Sequence, residues 1–175
     1  MAGEEPLETL YKERIVVTPI WALVSSVRNR IRDLLSNKDQ EIAVAVSFAA
    51  SELIENAIKY GKPEIEIDCS LDYPDIILSV SNITQNRADQ EELKKHIDTI
   101  RVAKDPFDLY VQQLRKMMEQ PDSNARTQVG LYKIVCEGKF TLDYAMTEDH
   151  ITVIARRNLL LSPLQPPGKG GGGAS

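Results

Sequence analysis

A chain of 175 residues is long enough for one domain with a sizeable core, and 42% apolar beside 27% charged residues is the balance of a globular protein. A net charge of −5, a sequence pI near 5.1 and the lack of a basic stripe argue against nucleic acid or an anionic membrane as partner. Cys69 and Cys136 lie far apart in apolar patterns without metal-ligand spacing, which predicts buried thiols rather than a disulfide. No signal peptide or long apolar run is legible, so the expected location is the cytoplasm.

Residues 1–10 are polar and expected to be loose. Arg14 to Ile20 reads as a short first strand ended by Pro19. Trp21 to Leu35 carries Val24, Val27, Ile31 and Leu34 on one helical stripe. A turn at 36–39 follows, in which Asp39 can cap a second helix running to Tyr60. That helix is apolar around much of its girth from Ile42 to Ala50, so it belongs in the middle of the domain; Gly61 and Pro63 stop it.

In residues 64–71, Ile65, Ile67, Cys69 and Leu71 alternate with polar residues, the pattern of a sheet with one wet face. A turn at 72–75 leads back into a strand over 76–82. Its buried row of Ile76, Leu78 and Val80 ends on a polar residue, Asn82. Residues 83–128 form a long insertion with helical patterning at 88–100 and 107–118, then a polar loop at 120–128. A short helix over 129–137 and a hairpin of strands at 139–145 and 151–157 close the domain. The Pro/Gly-rich stretch 159–175 reads as a disordered tail. This order predicts an α/β sandwich, a mixed but mostly antiparallel sheet with helices on one face.

One pair of residues carries chemistry. Glu52 and Asn56 lie four apart on the second helix and share a face, one turn apart. A carboxylate can take a proton from a nucleophile, and a carboxamide oxygen can ligate Mg²⁺. Glu55 and Lys59 already fill the polar face as an ion pair, which leaves the first pair to a site. His96 and His150 lack partners at ligand spacing and are expected at the surface, and Met117-Met118 reads as packing.

The run Glu52-x-x-x-Asn56-Ala57-x-Lys59-Tyr60-Gly61 resembles the N box of the GHKL superfamily, whose members share the Bergerat ATP-binding fold. Residues Ala125 to Tyr132 resemble the junction of ATP lid and last helix in stand-alone anti-sigma-factor serine kinases of the SpoIIAB and RsbW type. The two-helix insertion is similar to that of SiaB-type kinases of bacterial partner-switching systems. The resemblance covers residues 14–157.

It implies an ATP- and Mg²⁺-dependent serine/threonine kinase acting on a STAS-domain or similar small antagonist, with a sigma factor as a further partner and a homodimer as the family habit. Glu52 would be the general base and Asn56 the Mg²⁺ ligand. Arg126 and Thr127 would lie near the terminal phosphates, and Gly130 at a helix start would turn backbone N–H groups toward them. Asn82 stands in the slot of the aspartate that accepts from the adenine amino group, and Thr84 and Gln128 replace motif glycines. Those departures define the alternative, a nucleotide-free docking module that sequesters a sigma factor or STAS-type partner.

Overall fold

The computed structural model describes residues 8–16, 21–35, 40–62, 64–84, 86–119 and 125–160. The expectations for residues 1–7, Pro19, the 36–39 turn with its Asp39 cap, Pro63, residues 120–124 and residues 161–175 lie outside these. Five strands and five helices follow in the order β1 (Glu8–Val16), α1 (Trp21–Leu35), α2 (Gln40–Tyr60), β2 (Glu64–Asp72), β3 (Asp75–Ile83), α3 (Arg87–Val102), α4 (Pro106–Glu119), α5 (Ala125–Cys136), β4 (Thr141–Met146) and β5 (His150–Asn158).

The sheet has the order β1-β2-β3-β5-β4. Every pairing among the described strands is antiparallel, which corrects the expectation of a mixed sheet. The α3–α5 insertion carries the chain from β3 to β4 at the sheet edge, and the hairpin that follows brings β5 back between them, antiparallel to both.

One face of the sheet is covered. Ile65, Ile67 and Cys69 of β2, Ile76, Leu78 and Val80 of β3, and Val153 and Ala155 of β5 are buried in the core. α2 lies over this face with Ala43, Val46, Ala50, Leu53 and Ala57 buried, small residues that let a helix approach a sheet closely. Each fully buried aliphatic side chain stabilises the fold by about 1.5–3 kcal/mol. α1 adds Val24, Val27, Ile31 and Leu35; Leu34, which ends the predicted stripe, lies outside the described side chains.

Polar groups end the inward rows. Arg157, 8% exposed, donates from Nη2 to Glu41 Oε1 at 2.8 Å, and so reaches the first turn of α2. At the other end Asn82 Nδ2 donates to the Ala57 carbonyl at 2.9 Å, in the last turn of α2. The helix is thus fastened to the sheet near both ends.

Three boundaries depart from the sequence reading. β1 begins at Glu8, so residues 8–10 are strand; residues 17–20, the end of the expected strand, lie outside the described residues. Its charged sequence gives little alternation, and its structure comes from pairing with β2 at the sheet edge. α5 begins at Ala125, so residues 125–128 are helix and not loop; alanine, arginine and glutamine are good helix formers. At the C-terminal end, Leu159 N donates to Pro74 O at 2.9 Å, so the first tail residue is tied to the β2–β3 turn. Both cysteines are free; Cys69 is buried, while Cys136 is only half-buried and its thiol donates to Pro106 O at 3.1 Å. Met118 is exposed rather than packed. No helix among the described residues is long and apolar enough to cross a membrane.

Candidate functional site around Glu52 and Asn56

The α2 face that carries Glu52 and Asn56 meets α5. A side chain at Gly130 would overlap Glu52 Oε2, so the carboxylate occupies the space that this glycine leaves open. Glu52 is half-buried, and burial raises its pKa above the ordinary glutamate value. The like charge of Glu55 adds to the rise, Lys133 opposes it, and Glu137 contributes a smaller push upward.

One turn on, Asn56 lines a small cavity of about 20 Å³. α3 supplies Asp89, Glu92, Leu93 and His96 to its wall, and α5 supplies Leu131. Asn56 Nδ2 is buried with no hydrogen-bond partner among the described residues. Leaving such a group unsatisfied costs about 1–3 kcal/mol. Rotating the carboxamide by half a turn would present its oxygen at the same place, since the two ends of the group are nearly the same shape.

His96 belongs to this site, contrary to the surface position expected of it. Its Nδ1 lies 3.1 Å from Tyr132 Oη of α5, with the two rings edge to face at 6.2 Å between centroids. Its Nε2 lies 3.9 Å from Glu92 Oε1. Burial lowers the imidazole pKa; Glu92 pulls it upward, while Lys95 and Lys116 push it down. The sequence does carry a signal: Asp89, Glu92 and His96 recur at helical spacing on one face of α3. Which element that face meets is decided only by the tertiary fold.

Asn82 and Thr84 stand apart from the Asn56 cavity, at the end of β3. Asn82 is 6% exposed, and any side chain at Gly61 would collide with its amide, so the pair packs without a gap. Lys62 N donates to Ile83 O at 2.8 Å beside it. Thr84 is buried; its N–H donates to Asp149 O at 3.0 Å, and its hydroxyl reaches Asn86 O at 3.5 Å. Asn86 in turn caps α3, accepting from Ala88 N at 3.0 Å.

Arg126 and Thr127 lie in the first turn of α5, and their side chains are outside the described residues. Gly130 is not at the helix start, which corrects the expectation that its N–H faces phosphate. It lies in the second turn, because α5 begins a turn earlier than its polar sequence suggested. Its visible role is to admit Glu52. Among the described residues no group of three or more His, Cys, Asp or Glu is placed to hold a metal. A cation at Asn56 would therefore take most of its ligands from water and from a bound anion.

No family model matches the sequence, and no curated protein matches it. Among solved structures, a chain of the SiaB–SiaC complex from Pseudomonas aeruginosa is similar, with a TM-score of 0.66 and 16% identity, over 86% of this chain and 90% of that one. At that identity the likeness is one of fold.

Proposed function

We propose that this chain is a regulator in a bacterial partner-switching system, a Bergerat-type domain that phosphorylates a serine or threonine of a small STAS-type antagonist. The likeness in fold to a chain of the SiaB–SiaC complex supports the setting. The Glu52–Asn56 pair carries the chemistry. One group is held above its ordinary pKa by burial and the other is an orphaned amide, and neither state favours folding.

Mg²⁺-ATP, when bound, would supply the phosphoryl group. The unpartnered Asn56 carboxamide supports a role at its metal end: the carboxamide oxygen would hold Mg²⁺, with water and phosphate oxygens completing the shell. The partner's hydroxyl oxygen would take the terminal phosphoryl group, its bond to the bridging oxygen breaking to leave ADP, while the hydroxyl proton passes to Glu52, a stronger base than an exposed carboxylate. Arg126 and Thr127, at the N-terminal end of α5, would lie toward the terminal phosphates. Asn82 Oδ1 would accept from the adenine amino group.

A specific observation favours a second reading, the nucleotide-free docking module. Nucleotide-sized pockets run to about 300–1,000 Å³, whereas the cavity at Asn56 holds about 20 Å³. Calorimetric titration with ATP, in Mg²⁺ and then in EDTA, separates the two. The kinase reading predicts Mg²⁺-dependent heat that Asn56→Ala abolishes and Glu52→Ala retains, with phosphotransfer lost in both. Absence of heat at millimolar ATP would leave the docking module.

A further inference from the structure

β4 ends the strand order, so one side of it has no neighbouring strand. Thr147 N donates to His150 O at 2.9 Å where the β4–β5 hairpin closes. Ladder bonds fall on every second residue of an antiparallel edge strand, so the backbone groups of Ala145, Asp143 and Thr141 face β5. Those of Leu142 and Tyr144 then face outward. The Tyr144 N–H is taken by Asp143 Oδ1 at 2.8 Å. α3 stands beside this later half of the strand, tied by Tyr144 Oη to Asp98 at 3.1 Å and by Arg101 Nη1 to Asp143 at 3.1 Å. No described residue bonds the outward N–H and C=O of Leu142.

These two groups border a groove of about 470 Å³ between β4 and the end of α3. Ile100, Pro106, Val135, Phe140 and Leu142 make an apolar wall, and Thr141, Ile154 and Arg156 line it from the face of the sheet that α2 leaves uncovered. Val102 and Phe107, which flank the α3–α4 connection, are exposed, so the apolar surface continues past the rim. Apolar surface that spreads beyond the groove suits a partner's chain better than a small molecule. The lining is positive on balance, Arg101 and Arg156 against Asp143, in a chain of net charge −5. Arg156 Nη1 donates to Asp75 at 3.4 Å, and both arginine side chains are about half exposed. A guanidinium has five N–H donors, so donors remain for an incoming carboxylate.

We propose that this groove docks an extended segment of a partner protein that carries an apolar residue next to an acidic one. The segment lies against β4 as a short added strand and exchanges hydrogen bonds with the Leu142 N–H and C=O. Successive side chains of a strand point to opposite faces. The apolar residue paired with Leu142 therefore meets Phe140 and Val135, and its acidic neighbour is turned to the uncovered face, where Arg156 binds the carboxylate. Because α3 flanks the rest of β4, the pairing is confined to a short motif. The groove needs no nucleotide, so the proposal stands on either reading of the Glu52–Asn56 pair.

Three capped peptides test this by titration into the isotope-labelled full chain, without ATP, followed by amide chemical shifts. The first is Thr-Val-Leu-Asp-Val-Thr, the second has Asn in place of Asp, and the third carries an N-methyl group on the leucine nitrogen. With the first, shifts are expected at residues 100–107, 135, 140–143 and 154–156. Loss of one screened charge-assisted hydrogen bond should make the Asn peptide bind about fivefold more weakly. Arg156→Gln should abolish that difference. The N-methyl peptide, which cannot donate to Leu142 O, should leave the groove unshifted.

No shift in these residues at millimolar peptide, or shifts centred elsewhere, would overturn the docking site. Equal affinity of the Asp and Asn peptides for the wild type would overturn the acidic partner. An N-methyl peptide that binds as tightly as its parent would overturn the strand pairing.

Discussion

Asn82 stands where the resembled family places an aspartate, and the fold supplies a reason for the amide. The Ala57 carbonyl is among the last four of α2, which have no partner inside the helix. Asn82 Nδ2 donates to it at 2.9 Å in a site that water hardly reaches. An ionised aspartate has no proton to give and would set negative charge against that oxygen. Asn82→Asp is therefore expected to lower stability by about 2–3 kcal/mol at pH 7. Part of the loss should return in acid, where a protonated carboxyl can donate again. Urea unfolding at both pH values checks this, and a variant as stable as the wild type at pH 7 would show that the amide is not the fastener.

Where α2 meets α5, a single missing side chain decides where Glu52 sits. A methyl group at Gly130 would overlap Glu52 Oε2, the free end of a flexible side chain, so the carboxylate and not the helix would move. Alanine also favours a helix over glycine by about 1 kcal/mol. Gly130→Ala should leave the melting temperature unchanged or slightly higher. On the kinase reading it should cost about 100-fold in phosphotransfer, as misplacing a reacting group by an ångström does. Retained transfer would show that the placement of Glu52 does not matter.

The same elements show what was legible from sequence. The stripe of Val24, Val27 and Ile31 and the alternation of Ile65, Ile67 and Cys69 report their own burial, because their period is that of the element. The Glu52–Asn56 pair was visible for the same reason. β1 was misplaced because an edge strand with Lys12, Glu13 and Arg14 owes its form to its neighbour. The first turn of α5 is polar, and polarity alone reads as loop although Ala125, Arg126 and Gln128 suit a helix. His96 was missed because a helix's phase says which residues share a face and not which helix that face meets.

Across the whole molecule, α2 is the member that both the core and the site depend on. The Arg157–Glu41 and Asn82–Ala57 bonds hold it near its two ends, and its buried small residues set it close to the sheet. A helix held so firmly can carry a group that works against folding. Burial, joined by the like charge of Glu55, lifts the Glu52 pKa in the folded state above its value in the unfolded chain. Below the unfolded value, roughly 4.3 for a glutamate, the group is protonated in both states and costs nothing. As pH rises through the higher folded value, ionisation is harder in the folded state than in the unfolded one, and stability is lost.

Glu52→Gln removes that loss while keeping the shape of the side chain. Its melting temperature should exceed that of the wild type by about 1–3 °C at pH 7.5, a small gain because the carboxylate is only half-buried. The gap should close as pH falls toward 4. A series of thermal melts from pH 4 to 8 reads it directly. A gap that stays constant with pH would mean that the amide makes a better contact, unrelated to charge. A gap that closes in acid would show that the fold gives up stability at neutral pH to hold a buried charge beside Asn56, the cost that the proposed base at this position entails.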